Sequence, residues 1–126
     1  MKRIKADVCN KSFHLIMSER MRRFLPVLKR TNKIGDKARR QYVKKCNKQF
    51  IDCVSECAKN VFRGNVPLTK QHSTKLRRNK NNLRALSVKK TSLRKKRQII
   101  QKGGFLRAII TPILSHLGGL IGNAVR

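Results

Sequence analysis

Residues 36–62 read DKARRQYVKKCNKQFIDCVSECAKNVF, and their spacing decides the fold. Val43, Cys46, Phe50, Val54, Cys57 and Val61 follow one another at steps of three, four, four, three and four. That is the stripe of an amphipathic α-helix and not the alternation of a strand. Asp36 is the expected N-cap, because its carboxylate can accept from the free amides of a first turn. Gly64 stands just past the last apolar position, where a helix C-terminal cap favours glycine, and Asn65-Val66-Pro67 predicts a turn.

Outward from this helix the same period recurs in shorter pieces. Upstream, MSERMRRFLPVLKR (17–30) places Met21, Phe24, Leu25 and Leu28 on one side, with Ser18 and Glu19 as a start signal and Pro26 expected to kink or end the helix. Before it, Phe13, Leu15 and Ile16 lie among further bases. Downstream, Thr69 can cap TKQHSTKLRRNKNNLRAL (69–86), whose apolar residues are only Leu76, Leu83, Ala85 and Leu86, so that helix is expected to bury little. Thr91 or Ser92 can cap SLRKKRQIIQK (92–102), and Gly103-Gly104 then breaks regularity as an expected hinge. Neither a useful β-alternation nor an internal repeat occurs. The expected fold is all-α: short helices with irregular connectors, a partly disordered basic region and a C-terminal amphipathic apolar helix.

Charge narrows the function classes. The 126 residues carry 33 bases against five acids, a net +28. Self-repulsion at that density opposes compaction and calls for a polyanion, of which nucleic acid is the obvious one. The acids are Asp7, Glu19, Asp36, Asp52 and Glu56, so residues 57–126 hold 17 bases and no carboxylate. Paired carboxylates for acid–base work or magnesium binding would therefore have to come from scattered helix-surface positions in the first half, and no catalytic residues are expected.

The basic middle is the candidate nucleic-acid site: Lys75, Arg77, Arg78, Lys80, Arg84, Lys89, Lys90, Arg94, Lys95, Lys96, Arg97 and Lys102. A solvated helix face would interleave Glu with Lys for i,i+4 support, and this stretch has no acid to pair. Phosphates neutralised by such an array release condensed cations, which gives binding without base readout. RNP-type aromatics, a helix-turn-helix pattern and zinc-finger spacing are all lacking. KKTSLRKKR (89–97) also has the composition of a nuclear-localisation patch, a pattern common by chance in basic proteins.

Beyond Lys102 only Arg107 and Arg126 are charged, and the chain turns to GGFLRAIITPILSHLGGLIGNAVR. On a helix, Arg107, Thr111, Ser115, Gly118, Gly122 and Arg126 form a narrow row. Phe105, Leu106, Ile109, Ile110, Ile113, Leu114, Leu117, Leu120 and Ile121 form a broad apolar surface, the candidate membrane or partner contact. Pro112 interrupts it, and a confident span needs about 20 uninterrupted apolar residues. Three uses stay open: a core or oligomer-packing helix, an interfacial helix helped by the adjoining cations, and a docking peptide.

Cys9, Cys46, Cys53 and Cys57 form no paired knuckle, and His14, His72 and His116 lie in dissimilar contexts, so no metal site and no cofactor are expected. The thiols read as free packing residues in a reducing compartment, since no N-terminal apolar run marks a signal peptide.

One set of motifs resembles a known family. Arg63-Gly64-Asn65-Val66-Pro67-Leu68, then Leu83-Arg84-Ala85-Leu86, then Ser92-Leu93-Arg94-Lys95-Lys96-Arg97, then Gln101-Lys102-Gly103-Gly104-Phe105-Leu106 look like the small basic late proteins of Polinton/Maverick elements and adintoviruses. Those are similar in plan to the DNA-condensing core protein X of adenoviruses, and some have been compared with membrane-lytic peptides of the melittin type. The resemblance covers the last half of the chain. It implies a virion protein, present also in the host nucleus, that binds double-stranded genomic DNA through Lys75 to Lys102 and uses 105–126 for capsid or membrane contact.

These readings divide the chain into an N-terminal helical region (1–68), a basic nucleic-acid-binding region (69–102) and a hydrophobic C-terminal segment (103–126). The leading expectation is a non-sequence-specific DNA-condensing core protein, with self-association through the small-residue row as a further option. The alternatives are a membrane-active entry-assisting protein and a cellular chromatin or ribosomal protein.

Overall fold

The computed structural model describes residues 18–102 and 105–125, with side chains through Leu117. The readings made on Phe13, Leu15, Ile16, Cys9 and His14, on the Gly103-Gly104 hinge, and on the side chains of Gly118, Leu120, Ile121, Gly122 and Arg126 lie outside the described residues and side chains.

Among the described residues the chain is all-α. Seven helices run in order: α1 (Glu19–Lys33), α2 (Asp36–Lys45), α3 (Lys48–Phe62), α4 (Lys70–Arg78), α5 (Lys80–Ser87), α6 (Leu93–Ile100) and α7 (Phe105–Val125). The start signals act as caps. The hydroxyls of Ser18, Thr69 and Ser92 each accept from an amide three residues on, at 3.1 Å in every case. Pro26 does not end α1, which continues through it to Lys33, with the proline on an exposed position.

Helix α3 is the centre of the fold. It packs against α1, α5, α6 and α7, and it buries Phe50, Ile51, Cys53, Val54, Cys57, Ala58 and Val61 completely. The Phe50 ring receives Phe24 of α1 at a centroid distance of 6.0 Å and Tyr42 of α2 at 5.1 Å, both edge-on. Burying that one side chain is worth about 2–3 kcal/mol, and the edge contacts add a fraction of that. At its end, the Gly64 amide donates to Val61 and the Asn65 amide to Asn60, with Gly64 at φ 75°. This is a Schellman cap, and a left-handed position of this kind suits glycine.

The long helix expected over 36–62 is two helices. Cys46 is extended at ψ 157°, and Asn47 caps α3 by accepting from the Phe50 amide at 3.0 Å. The stripe carried the reading across this break because the apolar residues keep their phase on both sides of it. Gly35, not Asp36, occupies the N-cap of α2, and Asp36 instead pairs with Arg39. The helix expected over 69–86 is also two, divided at Asn79. Few as its leucines are, Leu76, Leu83 and Leu86 are wholly buried. The stretch 69–102, expected to be partly disordered, is described throughout as α4, α5, α6 and their connectors.

One apolar cluster runs from Met21 to Ile113 and draws on all three sequence regions. Helix α7 supplies Phe105, Leu106, Ala108, Ile109, Ile110 and Ile113 to it, while Arg107 and Ser115 stay exposed. The Thr111 hydroxyl meets the Asn32 side chain at 3.1 Å and ties α7 to α1.

Candidate functional site

The twelve cations predicted as phosphate contacts divide into two groups. Lys75, Arg77, Arg78, Lys80, Arg84, Lys89, Lys90, Arg94, Lys95 and Lys102 are exposed on α4, α5, α6 and the segments around them. Lys70, Lys75 and Arg78 share one open face of α4. The other two, Lys96 and Arg97, are turned to the interior.

Arg97 ends the helix that precedes α3. Its guanidinium donates to the carbonyl oxygens of Val43 at 2.7 Å and Cys46 at 2.8 Å, where the last turn of α2 leaves acceptors free. Arg39 does the same for α1: its guanidinium donates to Thr31 at 2.9 Å and Ile34 at 2.5 Å, and to the Asp36 carboxylate at 2.6 Å. Both cations sit where the helix dipole is negative, so each serves the fold. Sequence reasoning missed this use, since one arginine in a basic run carries no mark that sets it apart.

Lys96 is 8% exposed and lines a pocket of about 570 Å³ that no motif announced. One face of α3 supplies one side of it, with Lys48, Asp52, Ser55, Glu56 and Lys59 at helical spacing; Arg20, Ser87, Lys89, Thr91 and Leu93 complete the lining. Both carboxylates are engaged. Asp52 holds Lys48 at 3.2 Å, and Glu56 accepts from Arg20 at 2.5 Å and from the Ser18 hydroxyl. Burial pushes the Lys96 ammonium below its usual range, with Lys48 and Lys59 adding to the effect and Asp52 opposing it. The floor carries Ser55, 9% exposed, whose hydroxyl has no hydrogen-bond partner among the described residues.

The predicted tail contacts are largely interior. Phe105, Leu106, Ile109, Ile110 and Ile113 are at most 3% exposed, and Leu114 and Leu117 pack partly buried against the cluster. Among the described residues no helix is long and apolar enough to cross a membrane, and no group of three or more His, Cys, Asp or Glu could hold a metal ion. Hydrogen bonding to Cys53, then burial, pushes the Cys57 thiol well up, so the two sulfurs act as packing groups.

This chain matches none of the known protein families, curated proteins or solved structures with which it was compared.

The functional reading therefore rests on charge and exposure. Among the described residues the three ion pairs, Arg20–Glu56, Arg39–Asp36 and Lys48–Asp52, all lie N-terminal to residue 57.

Proposed function

We propose that this chain is a non-enzymatic protein that binds nucleic acid, double-stranded DNA in the first place, through its phosphates and without sequence preference, and condenses it. The reading is supported by one observation. Ten cations between Lys75 and Lys102 are exposed on a half of the chain with no carboxylate to neutralise them. Together with the resemblance to adintovirus late proteins, this supports a virion core protein that also passes through the host nucleus and contacts capsid proteins.

Lys96 and Arg97 do not enter the phosphate count, because burial and helix capping already occupy them. The alternative of a membrane-active tail draws less support, since inserting Phe105 to Ile113 into lipid would first require opening the core that they fill.

The test is duplex binding across a salt series. The logarithm of affinity should fall linearly with the logarithm of salt concentration, with a slope of about −0.9 for each phosphate neutralised. Replacing Arg77, Arg78, Lys80 and Arg84 with glutamine should flatten the slope by about four such steps and weaken all sequences alike. A single strongly preferred site, or a slope unchanged by the fourfold variant, would sink the reading.

A further inference from the structure

We propose that the pocket between α3 and α6 is a binding site for a compact, multiply phosphorylated small molecule, with Ser55 and Lys96 at its floor and Lys59 and Lys89 at its walls. The site shares Lys89 with the exposed cations of the nucleic-acid surface but none of the other nine, and it does not depend on that reading.

Charge balance comes first. Five cationic side chains line the pocket against two carboxylates, and both carboxylates are already held by Arg20 and Lys48. Lys59, Lys89 and Lys96 have no carboxylate oxygen within 4.0 Å among the described residues. Three positive charges in excess inside a recess match an anion with several charges close together.

Polar satisfaction comes second. A buried hydroxyl left without a partner costs free energy, and native proteins keep few of them. Ser55 is such a group, and a phosphate oxygen in the pocket would accept its hydrogen. The same anion would offset the desolvation that lowers the Lys96 ammonium.

Shape comes third. About 570 Å³ holds more than one phosphate group. The phosphates of a duplex are tethered on both sides and stay at the surface. A small polyphosphate has free ends, and one of them can descend into the recess towards Ser55, whose hydroxyl oxygen lies buried at its floor.

The experiment is calorimetric titration of the full chain with sodium tripolyphosphate at about 0.3 M salt, where interactions between exposed charges are strongly screened. One saturable site per chain is expected. Lys89→Gln, at an exposed position that poses no threat to folding, should weaken it roughly tenfold, as the loss of one charge-assisted contact implies. Ser55→Ala should weaken it severalfold. The surface double variant Arg77→Gln/Arg78→Gln should leave it unchanged while weakening duplex DNA. Non-saturating uptake, or equal weakening by the surface and pocket variants, overturns the site. A duplex affinity unmoved by the surface variant would instead count against the nucleic-acid reading and leave the pocket standing.

Discussion

The guanidinium of Arg97 lies 2.8 Å from the carbonyl oxygen of Cys46, a residue 51 positions earlier in the chain. That contact closes the end of α2, holds α6 against it and fixes the point where the chain turns into α3. A residue that reads in sequence as one more phosphate ligand is therefore a cap. Arg97→Gln should lower folding stability by about 2 kcal/mol, the scale for hydrogen bonds from a charged group to partly buried acceptors. Arg94→Gln, one position from Lys95 on the exposed side of α6, should stay within about 0.5 kcal/mol of the parent. Urea unfolding of the two variants compares them directly, and an unaffected Arg97 variant would return that residue to the phosphate surface.

Gly35 precedes α2 with φ −70° and ψ 167°, a conformation open to any residue, and a Cβ there would meet nothing within 4 Å. The α2 N-terminus has no side-chain cap. Gly35→Ser supplies one and also restricts the unfolded chain, so it should stabilise by about 0.5–1 kcal/mol. A thermal melt that shows no upward shift would mean that the first turn of α2 is already satisfied in solution.

How much of this was legible in the sequence depends on what each residue had to signal. Helix starts were readable because Ser18, Thr69 and Ser92 carry their own oxygen to the amides they satisfy. The break at Cys46-Asn47 was not, because the partners that make it tolerable are the Asn47 side chain and a guanidinium 51 residues away. The cations of 75–102 were legible as a group, but which of them face inward depends on the packing of α6 on α3, for Lys96, and on α2, for Arg97. The pocket was illegible for a related reason: Lys48, Asp52, Ser55, Glu56 and Lys59 read as the polar back of a core helix until Lys89 and Lys96 are placed opposite.

Lys96 also sets a pH dependence. Its proton leaves more easily in the folded chain than in the unfolded one, where the ordinary value is 10.5. Below both values the charged ammonium costs stability in full. That cost fades as pH rises through the folded value towards 10.5, because there the unfolded chain binds more protons. Lys96→Met keeps the packed stem and removes the charge, so it should raise the neutral-pH melting temperature and lose this alkaline rise, while abolishing tripolyphosphate binding. A variant less stable than the parent at pH 7 would mean that neighbouring groups stabilise the ammonium more than burial costs it.

The thiols give a reading of the core from a different direction. Cys53 and Cys57 are wholly buried, and Cys57 is pushed up by its contact with Cys53 and by burial. Cys46 is half-buried, with burial raising it and Arg97 opposing the rise. In a Cys9→Ser background, a disulfide-exchange reagent at about pH 8 should modify Cys46 first, with Cys53 and Cys57 reacting only at the rate of unfolding. Rapid modification of all three thiols would mean that α3 opens on its own.

Ile109 decides between the uses left open for the C-terminal segment. It is fully buried on α7, which packs on α1, α3, α4 and α6, and its removal leaves a cavity that flanking helices can fill only in part. Ile109→Ala should cost about 2–5 kcal/mol of stability, as truncations in a packed core do. Arg107→Ala, on the exposed side of the same helix, should cost little. Leakage from anionic vesicles supplies the opposing readout: if the folded chain permeabilises them at the parent's own stability and Ile109→Ala leaves that stability untouched, α7 acts on lipid. If Ile109→Ala unfolds the chain in milder denaturant and leakage appears only after unfolding, the apolar tail is the part of the core that lets so cationic a chain fold at all.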